Sequence, residues 1–287
     1  MSNVSEEPEE LGWLPFRRRV SLAAAVPATY GSTEHSLLLK TVKWGLLARL
    51  AAVFRVDELV IYVDEPWASE EARLGSMVLR YAVSPPYLRK KLFPRSPLLR
   101  YVGVLPPVQL PTHGVGGPRP GECREALVLR RRGSLALVEA GLGKPYWLRI
   151  DGRPGELVLV SLDEKLRPRP GCPRPVYRGY KVRVVEGLRG VVAGLRRSVV
   201  VATSRAGRVV GQGVLRGICR DAVRRGGILV LFGAPSRGLY DIASSEGLGL
   251  EELADYVVNT IPQQGTRTVR VEEAFAATMA LLNVCLP

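Results

Sequence analysis

Apolar strand patterns alternate with helical patterns at the beginning of this 287-residue chain. Residues 17–26 and 56–63 are predicted to be strands, and residues 32–54 and 70–83 are predicted to be helices with an apolar side. Two parallel strands need a crossover connection between them, usually a helix. The alternation therefore predicts an α/β fold, with a parallel sheet covered by helices.

The same alternation returns after residue 186. Strands are predicted at residues 198–202, 228–232 and 256–258, and the last is followed by a polar loop and a helix that begins near Val271. Ligands of open parallel sheets bind where the strands end, at the carboxyl edge. The loops after these strands are therefore a candidate ligand site. On spacing alone, an ordinary strand-to-helix connection explains the last loop equally well.

The middle of the chain has a different character. It is rich in Pro and Gly, and its short apolar runs are separated by turn residues, which predicts a small barrel of the OB type. The predicted strands of this barrel are residues 126–129, 135–139, 146–150, 157–162 and 180–185. The predicted organisation is thus a disordered acidic tail (1–17), a sheet domain in two parts (18–97 and 186–287) and an all-β insertion (98–185).

Positive charge is abundant and clustered. The formal net charge is +14, and neither residues 72–121 nor residues 165–185 contain an Asp or a Glu. Such a surplus predicts a polyanionic partner, most simply nucleic acid. Four aromatic residues lie among these basic residues, a pattern that suits base stacking: Tyr87, Phe93, Tyr177 and Tyr180. The candidate RNA contacts are Arg89, Lys90, Lys91, Arg95, Arg167, Arg169, Arg174 and Arg178.

Several classes of protein are excluded by composition. The four cysteines have no CxxC spacing and the chain has two histidines, so neither a zinc site nor another metal is expected. Isolated thiols suit a reducing cytoplasm, which is the predicted location. The acidic N-terminus is unlike a secretory signal or a transit peptide. Because the apolar runs are too short to cross a bilayer, no membrane partner is expected.

The candidate site has no phosphate-binding or hydrolase motif. The chain lacks the Walker A, GxGxxG, GxSxG and HExxH patterns. What remains are backbone groups, approached closely at glycines, and small polar side chains. Such groups suit a neutral, adenine-bearing ligand better than a triphosphate, although turn geometry or solvation explains each residue singly. They are Thr203, Ser204, Gly233, Ile261, Pro262, Gln264, Gly265 and Thr266.

Several blocks of sequence resemble the SPOUT (SpoU–TrmD) superfamily of RNA methyltransferases. The segment 47–62 is similar to the first motif of that superfamily and contains Arg49. The Asn that often precedes the motif arginine is absent. Further blocks resemble the archaeal and eukaryotic branch, in which an OB-like domain is inserted into the SPOUT fold. These blocks are residues 86–94, 101–107, 231–233 and 258–274, and the similar region covers residues 18–287.

The resemblance implies a chemistry that the residue patterns do not show. The C-terminal part would form a deep trefoil knot that binds S-adenosylmethionine, with Asn259 and Thr268 joining the loop residues named above as contacts. SPOUT proteins are usually homodimers with the active site between subunits. The catalytic candidates are Arg49, Arg267 and Arg270. The implied reaction is methylation of RNA, with ribosomal RNA as the expected class and uridine N3 preferred over a ribose 2′-hydroxyl.

Two other functions are compatible with the same patterns. One is a non-catalytic RNA-binding or ribosome-assembly factor that retains the fold. The other is a nucleic-acid module without a cofactor, for instance a DNA-binding protein. Binding of S-adenosylmethionine distinguishes the enzyme from both.

Overall fold

A computed structural model describes residues 15–195 and 197–287 of the chain. It divides the protein into two compact units. The larger unit comprises residues 18–84, 93–108 and 179–287, and the described residues of the smaller unit are 15–17, 85–92 and 109–178.

The chain contains eleven strands and eight α-helices within the described residues. In order they are β1 (Ser21–Pro27), α1 (Leu37–Val53), β2 (Glu58–Val63), α2 (Ser69–Val83), α3 (Arg89–Leu92), β3 (Cys123–Arg132), β4 (Leu135–Glu139), β5 (Tyr146–Arg149), β6 (Leu157–Leu162), β7 (Pro168–Pro170), β8 (Lys181–Glu186), α4 (Gly187–Ala193), β9 (Val199–Val209), α5 (Gln212–Arg225), β10 (Gly227–Leu231), α6 (Leu239–Ser245), α7 (Leu250–Leu253), β11 (Tyr256–Asn259) and α8 (Val271–Cys285).

The larger unit is built on a six-stranded sheet in the order β11-β9-β10-β1-β2-β8, and each neighbouring pair is parallel. The predicted α/β fold is therefore confirmed. In β1, every residue from Leu22 to Pro27 is buried, because helices cover both faces of a parallel sheet. The carboxyl ends of the strands all lie at one edge, where the loops after them can meet.

Helix α1 has apolar residues on two sides. Trp44, Leu47 and Ala51 are fully buried, as the predicted apolar stripe requires. The other side is also apolar and is exposed over Leu39, Val42, Leu46 and Val53. The helix begins at Leu37, later than the predicted Ser32, because residues Ala28–Thr33 form a 3-10 turn and the Ser36 side chain caps the helix by accepting from the Leu39 N–H.

The smaller unit is a five-stranded sheet in the order β5-β4-β3-β6-β7, and its neighbours are antiparallel. Its two edge strands, β5 and β7, approach each other, so the sheet nearly closes on itself. Small and β-branched side chains fill the interior, among them Ala126, Val128, Ala136, Val138 and Val160. The structure therefore confirms a small, nearly closed antiparallel barrel in the middle of the chain.

One strand predicted for the barrel belongs to the parallel sheet instead. The segment 180–185 forms β8, whose residues 181–186 pair with β2 from Glu58 to Val63. The fifth strand of the barrel is β7, which its two prolines concealed. Residues 98–108 and 179–185 accordingly fall in the larger unit, unlike the predicted insertion 98–185.

The predicted disordered tail lies mostly outside the described residues. Its last three residues, 15–17, are ordered against the smaller unit. Phe16 forms an antiparallel bridge with Val176, the Arg17 N–H donates to the Pro175 carbonyl, and the Tyr177 N–H donates to the Pro15 carbonyl. Disorder was therefore the wrong prediction for these three residues. In the described ranges, no helix has both the length and the apolarity needed to cross a membrane.

The four cysteines form two disulfides, which corrects the expectation of free thiols. Cys123 is bonded to Cys172 in the smaller unit, and Cys219 on α5 is bonded to Cys285 at the end of α8. The paired Cα atoms lie 5.6 and 6.1 Å apart, within the usual range for a disulfide. Sequence spacing missed the pairs because each joins residues 49 or 66 positions apart. The cysteines thus do not support the predicted cytoplasmic location.

We expect reduction of the disulfides to destabilise the protein. Each closes a loop of about 50 to 70 residues, for which the loss of unfolded-state entropy typically contributes about 2–4 kcal/mol. Thermal unfolding with and without dithiothreitol measures the combined contribution of both disulfides to stability. The double variants Cys123→Ser/Cys172→Ser and Cys219→Ser/Cys285→Ser measure the contribution of each disulfide. Titration of four thiols in the denatured, unreduced protein would contradict the pairing.

Candidate functional site

Three polar segments meet at the carboxyl edge of the parallel sheet. They enclose a cavity of about 430 Å³, a size typical of small-molecule sites. The walls come from residues 203–206 in β9, residues 232–241 after β10, and the loop and helix start after β11. The sequence predicted that three segments would lie at this edge, and residues from all three line the cavity.

The first wall is a bulge within a strand. Thr203 and Ser204 were predicted to follow the end of a strand, but β9 continues to Val209. Its pairing with β11 skips residues 203–207, since Val257 lies opposite Ala202 and Val258 opposite Arg208. These skipped residues bulge away from the pairing. The Thr203 hydroxyl donates to the Leu231 carbonyl of β10 at 2.9 Å and fixes the start of the bulge.

Two contacts hold this bulge against β11. A Cβ atom on Gly207 would lie 2.6–2.8 Å from the backbone N, Cα and C atoms of Val258, so only glycine allows the approach. The Asn259 side-chain amide donates to the Arg205 carbonyl at 3.2 Å and accepts from the Ile261 N–H at 3.0 Å. Asn259 thus joins the bulge to the loop after β11.

The second wall is the loop after β10. A Cβ on Gly233 would lie 3.3 Å from both the Arg237 carbonyl oxygen and the Leu239 nitrogen, so the turn is tight. Arg237 lines the cavity and donates from Nη2 to the Asp64 carbonyl at 2.9 Å and to Glu65 Oε1 at 2.7 Å. Sequence reasoning missed Arg237 because its partners after β2, Asp64 and Glu65, lie 173 and 172 positions away along the chain.

The third wall is the loop after β11, which its own side chains fold. The Gln264 amide donates to the carbonyls of Thr266 and Arg267, at 2.9 and 3.2 Å. The Thr266 hydroxyl donates to the Thr268 carbonyl at 2.8 Å. Asn259, Ile261, Gln264 and Thr268 line the cavity, whereas the exposed Pro262, Gly265 and Thr266 lie outside its lining. Side chains shape this loop, so it presents mainly backbone groups to a ligand.

The three arginines predicted as catalytic do not line the cavity. Arg49 is exposed on α1, where its Nη1 donates to the Pro107 carbonyl at 2.7 Å. Arg267 is exposed, and its carbonyl accepts from Arg205 Nη1 at 3.2 Å. Arg270 directly precedes α8, and its N–H donates to Glu273 Oε2 at 2.8 Å. Within the lining, Arg205 and Arg237 carry the positive charge and Asp241 the negative charge.

The basic residues predicted to contact RNA are distributed over both units. Arg89, Lys90 and Lys91 form most of α3 in the smaller unit, and Arg95 is exposed in the larger one. The remaining four lie in the smaller unit: Arg167 and Arg169, which are exposed near Asp163; Arg174, which is half-buried; and Arg178, which is paired with Glu125. Burial raises the pKa of Glu125, and the Arg178 guanidinium opposes that shift.

Two of the aromatic residues predicted to stack on bases are unavailable. Tyr177 and Tyr180 are 2% and 5% exposed, and the Tyr180 hydroxyl donates to the Leu79 carbonyl. The Tyr87 hydroxyl donates to the Glu125 carbonyl at 2.8 Å, with the Thr112 carbonyl also near it at 3.2 Å. The stacking role is therefore wrong for the two buried tyrosines, because their apolar neighbours in the fold exclude a base.

Fold and site together define a class: an α/β protein with a small-molecule cavity at the carboxyl edge of a parallel sheet, two arginines in the cavity wall, and a strongly basic chain. No group of three or more His, Cys, Asp or Glu in the described part of the chain is placed to hold a metal. The chain belongs to the family described as "Putative RNA methyltransferase", which matches residues 21–282.

The chain is also similar to curated relatives over most of its length. A protein of Halobacterium salinarum is 34% identical over 268 residues, which cover 85% of this chain and 92% of that relative. A protein of Haloarcula marismortui is 31% identical, covering 92% and 99%. A human protein named 28S rRNA (uridine-N(3))-methyltransferase is 28% identical over 301 residues, covering 93% of this chain and 78% of the human one. The protein is accordingly a methyltransferase of an RNA-modifying family.

We expect Gly207→Ala to disturb the bulge of β9. The added Cβ would overlap the Val258 backbone, which cannot move without breaking the β9–β11 pairing. Such overpacking costs about 1–3 kcal/mol. Gly213→Ala on α5 is the matched control, because a Cβ there meets nothing within 4 Å. Urea unfolding of both variants measures the difference, and equal midpoints would contradict this role of Gly207.

Proposed function

We propose that this protein transfers a methyl group from S-adenosylmethionine to ribosomal RNA, at N3 of a uridine in preference to a ribose 2′-hydroxyl. The observation that carries the proposal is the cavity in which all three predicted segments meet. Family membership supplies the reaction class. The names of the human, mouse and Drosophila relatives, each a 28S rRNA (uridine-N(3))-methyltransferase, support the acceptor atom.

The groups around the cavity fit such a methyl donor. An adenine ring needs backbone donors and acceptors and a flat apolar wall, and the lining offers Gly233, Ile261 and Val269 for these roles. Asp241 suits a ribose hydroxyl or an ammonium group, and Arg205 and Arg237 suit a carboxylate. The cofactor contacts are proposed to be Thr203, Ser204, Gly233, Asn259, Ile261, Gln264 and Thr268, with Pro262, Gly265 and Thr266 shaping the loop.

The fold is proposed to be that of the SPOUT superfamily, with the smaller unit as its OB-like insertion. In that fold β11 and α8 would belong to a deep trefoil knot. The return of the chain from β10 to β11, which pairs on the far side of β9, supports this proposal. The sequence blocks at 47–62 and 258–274 support it independently.

Bound S-adenosylmethionine supplies a methyl carbon on a positively charged sulfur. Uridine N3 would accept this methyl group and give up its proton to bulk water, and S-adenosylhomocysteine would be the second product. The protein would orient the two reactants and exclude water. A nearby arginine would stabilise negative charge on the deprotonated uracil. Arg49, Arg267 and Arg270 remain the proposed catalytic residues, and Arg205 and Arg237 join them because they line the cavity.

The active form is proposed to be a homodimer. The exposed side of α1 carries Leu39, Val42, Leu46 and Val53, an apolar stripe interrupted by one charged residue and of the kind that marks an interaction surface. Helix α8 packs against α1 and carries a further exposed apolar residue, Val284, at 84%. Arg49 falls on the same exposed stripe. A second subunit would bury the stripe, and Arg49 could then serve the cavity of the partner subunit.

We expect the protein to bind S-adenosylmethionine and S-adenosylhomocysteine and to methylate RNA. Isothermal calorimetry measures the first property. Digestion of treated ribosomal RNA to nucleosides, followed by mass spectrometry, measures the second and separates 3-methyluridine from 2′-O-methyluridine. Absence of binding to either cofactor form would overturn the proposal. Tight RNA binding without cofactor binding would favour a non-catalytic assembly factor.

We expect Val42→Glu to convert the dimer into a monomer, because it places a charge in the apolar stripe of α1. Methyl transfer should fall with it. Val223→Glu on α5 is the matched control, since both valines are exposed on helices, at 44% and 52%. Light scattering measures the mass, and a monomeric wild type would contradict the dimer.

In the same assays we expect Arg49→Ala to stay dimeric, to bind cofactor normally and to lose about 100-fold or more in the rate of methyl transfer.

A further inference from the structure

The outward side of the barrel carries an ordered array of basic and aromatic residues. In β3, β4 and β5 the pairing register sets Arg130 opposite Leu137 and Leu137 opposite Trp147. A second row sets Arg132 opposite Leu135 and Leu135 opposite Arg149. The intervening residues Ala136, Val138 and Leu148 belong to the barrel interior. We call the six outward residues the β3–β5 face.

The aromatic member of this face is accessible. Trp147 is 42% exposed, and the Arg130 guanidinium lies over its ring at 5.4 Å from the centroid. A cation over an indole is attracted to the ring. The guanidinium and the indole together make a flat surface on which a planar group can stack. Trp147 is not part of the interior cluster, which is filled from the other side of the sheet.

The charge on this face is available to a ligand. Arg130, Arg132 and Arg149 are exposed, and none forms an ion pair with a described residue. The face ends at Glu139, whose side chain is 13% exposed and whose carboxylate accepts from the Gly141 N–H and lies 3.8 Å from Lys91 Nζ. The Glu139 carboxylate therefore already has partners in Gly141 and Lys91. Two arginines from the predicted RNA contacts, Arg169 and Arg178, are instead paired with Asp163 and Glu125.

We propose that the β3–β5 face binds a single-stranded segment of RNA. An unstacked base stacks on the Arg130–Trp147 pair, and Arg132 and Arg149 contact the phosphates beside it. Stacking needs a base with a free face, which a duplex does not offer, so the ligand is single-stranded. That the ligand is RNA rests on the proposed function, but binding at this face does not depend on the cofactor cavity or on catalysis.

The test measures binding of a fluorescein-labelled 12-nucleotide single strand, and of a hairpin duplex, by anisotropy. Trp147→Ala should weaken single-strand binding about tenfold and leave the duplex unchanged, whereas Trp147→Tyr should retain most of the affinity. Trp67→Ala is the matched control, because Trp67 is an exposed tryptophan of the larger unit, at 62%. Arg132→Gln/Arg149→Gln should lower the slope of log affinity against log salt by about 1.4. Arg73→Gln/Arg220→Gln removes the same charge from exposed positions elsewhere.

Equal single-strand affinity of Trp147→Ala and Trp67→Ala would overturn the inference, as would an equal loss for strand and duplex. Circular dichroism and calorimetric binding of S-adenosylmethionine check that the variants fold. If cofactor binding and methyl transfer are absent from the wild type but the Trp147 dependence is present, the proposed enzyme fails and this RNA-binding face stands.

Discussion

The pairing of β11 with β9 is the interaction on which the candidate site depends. It brings the loop after β11 beside the bulge at 203–207, and it does so at only four residues of β11. Gly207 permits the close approach, and Asn259 ties the bulge to the following loop. The second wall, after β10, is anchored separately through Arg237 to residues after β2. The cavity thus joins segments from three strands of one sheet, and residues after a fourth strand, β2, anchor one of them.

Most polar side chains in these loops form hydrogen bonds to the backbone of the cavity walls. Thr203, Asn259, Gln264 and Thr266 each bond to a backbone group within or between the walls. Their polar atoms are therefore used in shaping the cavity, and the backbone is left to face a ligand. A site of this kind recognises shape and hydrogen-bonding edges, which fits an uncharged ring system. The two lining arginines add a place for one negative group.

The sequence predicted the repeated strand-and-helix order and the segments that line the cavity. Apolar periodicity reports which side of an element is buried, and it located α1, β2, α2, β10 and α8 to within a few residues. It could not tell which sheet a short apolar strand joins, so β8 was assigned to the barrel. The proline-containing β7 had no strand pattern. The arginines were found by type and clustering, but their ion pairs with Glu125 and Asp163 were invisible.

By itself, the sequence determined that the chain is a basic α/β protein with an all-β segment inside it and three polar segments after its later strands. Those properties follow from local periodicity and composition, which every stretch carries independently of the others. Only the tertiary structure decided that Arg237 and not Arg49 lines the cavity, that the four cysteines are paired, and that the free arginines and Trp147 share one side of the barrel. Each of these depends on contacts between residues far apart in the chain, and such contacts leave no local pattern.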